Sequence, residues 1–325
     1  MGRKNENIQL FQSRIDSKYN STVGRNPNFI PYHYVFTKKS GKMNYLEHYA
    51  NYICPEIYGH RNVKKGILLM LASKTDDIKG QRQRIHILLE GMPGTGKSVL
   101  VDWITEHFNA IYSDSNSTRV GLTADASKGQ LTGGLLAKAH NNILVVDEID
   151  MLQDREALRE AMEKGIFHIA KGKIDEDIPA KVRVIGCLND IKTLSPALLE
   201  RFDLIFTFKT PTPEESKKIS EKLLQQYFRQ ATNTKIEEIK KHLEAIENFT
   251  PKIEDKEYQS VDKAFKLYFD YTKRGKSGRW IASVIRLARA IAKINMRNVT
   301  SIDFLEALSL KDPKFYIWLQ TLKKT

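Results

Sequence analysis

Short apolar runs and helix-spaced apolar positions alternate through the first two thirds of the chain. Ile85-His86-Ile87-Leu88-Leu89-Glu90, Asn142-Ile143-Leu144-Val145-Val146, residues 182–188 and Leu204–Phe208 are compact and rich in Val, Ile and Leu. Runs of that length predict strands buried on both faces. Between them, residues 63–71, residues 98–108 and Arg155–Lys164 place apolar side chains at helical spacing, as Leu158 and Met162 do. Strands alternating with helices predict a parallel sheet covered on both faces, an α/β fold. Beyond Pro211 the pattern is helical throughout, over residues 214–229, 235–246, 260–273, 279–295 and 301–310. Thr300 and Ser301 are candidate N-caps for the last of these. The chain therefore divides into residues 1–44 without periodicity, an α/β unit over 45–210 and an all-helical unit over 211–325. Asn26-Pro27, Ser40-Gly41 and many Asn, Ser and Lys make the first part an expected extended or poorly ordered arm.

Composition narrows the class. Of 325 residues, 41% are apolar and 28% charged, which suits a soluble globular protein. The run Ile67-Leu68-Leu69-Met70-Leu71-Ala72 is far short of a bilayer span, and the start Met1-Gly2-Arg3-Lys4 lacks a secretory apolar stretch. No membrane partner and a cytoplasmic location are expected. Cys54 and Cys187 stand alone, without the paired spacing of a zinc module or disulfide framework, and are read as buried thiols. The formal charge is +13, and residues 1–45 hold eight basic side chains against two acidic ones. That excess favours polyanionic partners.

Gly91-Met92-Pro93-Gly94-Thr95-Gly96-Lys97-Ser98 fits G-x-x-x-x-G-K-[ST] between an expected strand and an expected helix. Gly91, Gly94 and Gly96 let successive N–H groups turn toward phosphate oxygens, and the helix beginning near Lys97 adds its positive end. Pro93, Thr95 and Val99 complete the candidate cofactor-binding loop. Lys97 is placed to reach the β- and γ-phosphates, and Ser98 to ligate Mg²⁺. Ile143-Leu144-Val145-Val146-Asp147-Glu148 is an apolar strand ending in two carboxylates, about 50 residues after that loop. Ligands gather at such strand ends in open α/β sheets. Asp147 is the expected second holder of the Mg²⁺ shell, and Glu148 the expected general base for hydrolysis.

Further segments carry a likeness to a known family. Ile57-Tyr58-Gly59-His60 precedes Lys64-Lys65-Gly66-Ile67-Leu68-Leu69, and Gly121-Leu122-Thr123-Ala124 follows the loop helix. Glu160-Ala161-Met162-Glu163 leads to His168-Ile169-Ala170-Lys171. Leu198-Leu199-Glu200-Arg201-Phe202-Asp203 and Arg279-Trp280-Ile281-Ala282-Ser283 come later. In this order, over roughly residues 50–310, they resemble the ATPase domain of the MCM (minichromosome maintenance) helicases, within the AAA+ class. The resemblance implies an AAA+ P-loop NTPase, its parallel sheet sandwiched by helices and followed by a helical lid. It implies ATP and Mg²⁺, a hexameric ring, single-stranded or forked DNA and replication proteins as partners, and ATP-driven helicase or translocase activity. Asn189 matches sensor 1, Arg201 the arginine finger acting on a neighbour's nucleotide, and Arg279 sensor 2. For Arg286, two turns along from Arg279, a structural role is the favoured reading. Lys171, with its neighbour Lys173, matches the hairpin lysines that touch DNA, although Asp175-Glu176-Asp177 follows at once.

The sequence departs from the family pattern where it is short, between Thr123 and Asn142 and between Asn189 and Leu194. It leaves no room for an oligonucleotide-binding or zinc module before residue 45, or for a winged helix after Leu310. Two other readings stay open: a protein-remodelling or chelatase-type AAA+ machine, and a nucleotide-dependent DNA-binding loader.

Overall fold

A computed structural model describes residues 43–321, apart from residues 74–77, 79, 114–121, 126–131, 153–154, 172–173 and 229–233. Almost all of the expected basic arm, residues 1–42, and Lys173 lie outside the described residues. In chain order the elements are α1 (Tyr45–Tyr49), α2 (Arg61–Ala72), β1 (Ile87–Gly91), α3 (Lys97–Phe108), β2 (Ile111–Ser113), β3 (Ala124–Asp125), β4 (Thr132–Gly133), α4 (Leu135–Lys138) and β5 (Ile143–Val146). They continue with α5 (Arg155–Lys164), β6 (Ile166–Lys171), β7 (Ile174–Pro179), β8 (Arg183–Leu188), α6 (Pro196–Leu199) and β9 (Leu204–Phe208). After β9 every regular α or β element described is a helix: α7 (Pro213–Phe228), α8 (Thr234–Ala245), α9 (Tyr258–Thr272), α10 (Gly278–Ile294), α11 (Ser301–Lys311) and α12 (Pro313–Thr321).

Five strands form one parallel sheet in the order β2-β5-β8-β1-β9. Side chains alternate between its faces, and both faces of the inner strands β5, β8 and β1 are buried, whereas the edge strand β9, expected to be buried on both faces, exposes Ile205 and Thr207. Ile87, Leu89, Ile143, Val145, Ile185 and Cys187 join one apolar core; Leu88, Leu144, Val146, Val184 and Leu188 join the other. This two-sided burial is the physical reason for continuous apolar runs rather than an alternating pattern. Each fully buried aliphatic side chain contributes about 1.5–3 kcal/mol of transfer free energy. Both cysteines are free and buried.

The helix α2 departs from its expected amphipathic character. Positions 63–70 are all buried, including Lys64 and Lys65. It is enclosed by β1 on one side and by α1 and α10 on others, so no face is left for solvent. The two lysines are tolerated because their ammonium groups are bonded. Lys64 donates to the carbonyls of Cys54 (3.0 Å) and Ile57 (2.8 Å), and Lys65 to Glu47 and to Glu306 (3.1 Å).

β6 and β7 form an antiparallel hairpin in which His168 faces Asp177 and Ala170 faces Asp175. His168 Nδ1 lies 3.0 Å from Asp177 and Nε2 3.3 Å from Asp175. Cross-strand pairing with one imidazole thus accounts for two of the three acids that the sequence leaves unexplained. Among the described residues no helix is long and apolar enough to cross a membrane.

Candidate nucleotide-binding site

Three segments meet at the C-terminal edge of the sheet. The first is the loop between β1 and α3. Gly91, Gly94 and Gly96 have φ of 154°, 76° and 101°, values that glycine alone adopts readily. A Cβ on Gly91 would sit 2.4 Å from the Phe208 carbonyl oxygen, so the loop leaves β1 in direct contact with β9. Thr95 Oγ1 donates to Met92 O at 2.8 Å and closes the turn. The Lys97 ammonium donates to the carbonyls of Gly91 and Met92. Pro93, Gly94, Ser98 and Val99 are exposed, and Ser98 stands in the first turn of α3. A curled glycine loop at a helix N-terminus, with a lysine folded along it, fits a phosphate chain.

The second segment follows β5. Asp147 N donates to Ser113 O (3.0 Å) and Ile149 N to Cys187 O (2.9 Å), which pins the turn between β2 and β8. Glu148 lies between them with φ 47°, a left-handed conformation that costs a non-glycine residue about 1–3 kcal/mol. That backbone turns Glu148 out of the strand line, and it is exposed. Asp147 Oδ1 accepts from Glu148 N (3.0 Å), and Oδ2 accepts from the Tyr112 hydroxyl (2.8 Å). Burial and this hydrogen bond to a carboxylate hold the Tyr112 phenol above its ordinary range. Burial, with Asp147 nearby, pushes the Cys187 thiol up to about 12, so it stays a protonated apolar side chain. Asp147 and Ser98 are the residues here that would hold Mg²⁺.

The third segment frames the opening. Asn189 follows β8 and is exposed. Behind it Glu90 accepts from Ile191 N (3.1 Å) and from Thr207 Oγ1 (2.8 Å), binding the Asn189 loop to β1 and β9. Sequence reasoning missed Glu90 and Tyr112. A lone acid ending an apolar run, and a tyrosine in a three-residue strand, carry no periodic signal.

Arg201 and Arg279 lie elsewhere. β9 runs parallel to β1 with Leu204 opposite Ile87 and Phe208 opposite Gly91. The phosphate loop therefore leaves the C-terminal end of these strands, while Arg201 precedes their N-terminal end. The paired strands alone separate the two by about 13 Å. Arg201 is 8% exposed; its guanidinium donates to Ala197 O, and its Nε lies 3.5 Å from Glu163. An outward-facing arginine is thus not what the single chain presents: Arg201 is folded back on its own helix turn. Burial lowers its pKa, with Arg279 and Arg159 adding repulsion and Glu163 opposing. Arg279, in the first turn of α10, is exposed and lies 3.3 Å from Glu200. Arg286 donates to Asp203 through Nε (3.1 Å) and Nη2 (2.7 Å). Of the hairpin lysines, Lys171 ends β6 in register with Ile174.

The family model of the MCM P-loop domain matches residues 34–227, more than half of the chain. The chain is 30% identical to the minichromosome maintenance protein MCM of Saccharolobus solfataricus, an alignment covering 79% of this chain and 43% of that protein. It is 30% identical to the DNA replication licensing factor MCM4 of Drosophila melanogaster, over 83% of this chain and 36% of that one. With the DNA replication licensing factor mcm6 of Dictyostelium discoideum the identity is 29%, over 76% and 33%. The chain thus spans well under half the length of these relatives. The glycine loop, the Asp147-Glu148 turn and the matched model agree: the chain belongs to the MCM family and carries its P-loop domain.

Proposed function

We propose that this chain is the ATP-hydrolysing core of an MCM-type helicase or translocase, working as a hexameric ring on single-stranded or forked DNA. The observation that carries the reading is the separation of charges across the sheet. Lys97, Ser98, Asp147 and Glu148 gather at one edge, and Arg201 starts from the other. A guanidinium so placed has no route to its own phosphate loop. A second copy, set edge to edge, brings Arg201 to a neighbour's loop and completes the site. To do so, Arg201 exchanges Ala197 O and Glu163 for phosphate oxygens, a favourable trade for a guanidinium.

Within that site each residue has a task. The loop amides and Lys97 hold the phosphates. Mg²⁺, when bound, neutralises charge on the phosphate oxygens. Tyr112 and the Glu148 amide fix the Asp147 carboxylate. Glu148, turned outward, accepts the proton of the attacking water, and Asn189 orients that water through its amide. Arg201 and Arg279 of the next copy offset the charge developing on the γ-phosphoryl group. The helical unit after Phe208, with Arg279 on α10, serves as the lid. Lys171, on the hairpin, is the residue to grip a DNA phosphate.

ATPase rates with and without single-stranded or forked DNA test this directly. DNA should stimulate the wild type, and Glu148→Gln should lower turnover about 10²–10⁴-fold while ATP binding persists. Mixing inactive Arg201→Ala subunits with inactive Lys97→Ala subunits should restore part of the activity. No DNA effect at low salt would refute the translocase reading, and no recovery on mixing the shared site.

A further inference from the structure

We infer that Asp203 is a positioning residue that holds Arg201 and Arg279 in one frame, so that the two arginines meet a neighbour's nucleotide together. This rests on the shared-site reading above. Asp203 is 2% exposed and lies two residues after Arg201. Its carboxylate accepts from Arg286 at 2.7 and 3.1 Å, from Arg82 at 3.4 Å and from the His86 amide at 2.9 Å. Its carbonyl accepts from Lys311, which also donates to Ser283 at 2.9 Å. The segment before β1 and helix α10 therefore converge on one buried carboxylate, and α11 reaches the carbonyl of the same residue.

The geometry links this centre to both arginines. Arg82 donates to the Arg201 carbonyl at 3.2 and 3.3 Å, and also to the Met162 carbonyl at 3.3 Å. The peptide that follows the Arg201 side chain is thereby fixed from behind. Met162 adjoins Glu163, the acid beside Arg201. On the other side, Arg286 lies seven residues after Arg279 on α10, about 10 Å along the helix axis. α10 is a stiff rod bolted to Asp203 at Arg286 and Ser283, so its first turn, with Arg279, takes its place from the same bolt. Arg279 accordingly lands 3.3 Å from Glu200, next to Arg201. Lys311, on α11, lies over the Trp280 ring at 5.5 Å and secures that turn again.

A structural staple would serve stability alone; a positioning residue leaves its mark on one face of the site only. In Asp203→Asn the phosphate loop, Asp147 and Glu148 are untouched. The variant should bind an ATP analogue and assemble as the wild type does, with kcat about a hundredfold lower, the loss expected for a reacting group displaced by about 1 Å. KM for ATP should change little. Its loop edge should remain usable: mixing with Lys97→Ala subunits, whose Arg201 and Arg279 are intact, should recover activity as the Arg201→Ala mixture does. Asp203→Glu should restore part of the rate, and Lys311→Met should reproduce the pattern more weakly. Lys311→Met also decides the matter if Asp203→Asn does not fold. Turnover within twofold of wild type in both variants overturns the inference. So does a loss that Lys97→Ala subunits fail to relieve while they relieve Arg201→Ala. If the Arg201→Ala mixture itself fails, the shared site is what falls, and the inference with it.

Discussion

At the C-terminal edge of the sheet the chemistry sits in the open, on a backbone that short stretches of sequence shape by themselves. Ser98, Glu148 and Asn189 are exposed, and the loop owes its curl to glycines at fixed spacing. At the N-terminal edge Arg201 depends on a buried cluster contributed by Arg82, His86, Asp203, Arg286 and Lys311, residues up to 229 positions apart. One edge is preorganised by local conformation and the other by tertiary electrostatics. The contrast teaches where each edge is vulnerable. Substitutions in the loop should injure ligand binding at modest cost to stability, whereas changes in the cluster should injure the fold and the placement of Arg201 and Arg279 together.

The largest effect should come from emptying the cluster. Asp203→Ala leaves Arg82 and Arg286 buried without their carboxylate, and breaking a buried pair in this way costs about 3–5 kcal/mol. Urea unfolding measures it; a loss below about 1 kcal/mol would erase the contrast between the edges. Gly91→Ala should follow. The new Cβ meets Phe208 O at 2.4 Å, and overpacking of this kind costs about 1–3 kcal/mol. Nucleotide titration should show a much weaker affinity for ATP, and an unchanged affinity would mean that the loop needs no close approach to β9.

Acid should act on the buried edge next. His86 accepts from Val184 N at Nδ1 (3.0 Å) and so donates to Met162 O from Nε2 (3.1 Å). Burial, with Arg82 nearby, holds this neutral imidazole well below its ordinary pKa. The unfolded chain takes up a proton near pH 6.5 that the folded chain refuses. Stability is therefore intact above about pH 7 and falls by about 1.4 kcal/mol per unit as pH drops below about 6.5. Urea melts at pH 7.5 and 5.5 should reveal the slope, and His86→Gln should flatten it; the same slope in the variant would assign it to other groups. The smallest effect belongs to the exposed edge. Tyr112→Phe removes one hydrogen bond to Asp147, worth about 1 kcal/mol, and should raise the Mg²⁺ concentration for half-maximal ATPase about fivefold. An unshifted Mg²⁺ curve would show that Tyr112 does not orient that carboxylate.

The strands Ile143–Val146, Arg183–Leu188 and Leu204–Phe208 fall within a residue of where the apolar runs place them. Two-sided burial of the first two writes itself into composition, whereas Leu204–Phe208 is an edge strand that exposes Ile205 and Thr207 and so departs from the burial its apolar run predicts. β2 and β6–β7 carry weaker patterns, because β2 is only three residues long and the hairpin is only half covered. The helix α1 was also silent, being one turn long and capped by Asn44, whose side chain accepts from Glu47 N at 3.1 Å. Tyr112 and Glu90 escaped notice for a different reason. Each acts through a partner on another strand, and nothing in a chain of letters records which strands are neighbours.

Taken alone, the sequence determined the curled loop, the paired acids after a buried strand, and the order of strand and helix. Each depends on residues close together in the chain, on glycine's access to positive φ and on periodic burial. Only the tertiary structure decided that Arg201 starts from the far edge and folds back on Ala197, and that Asp203 gathers Arg82, Arg286 and Lys311. Parallel pairing of β1 with β9 sets the first, and desolvation sets the second: a carboxylate taken out of water must find its cations wherever the fold brings them.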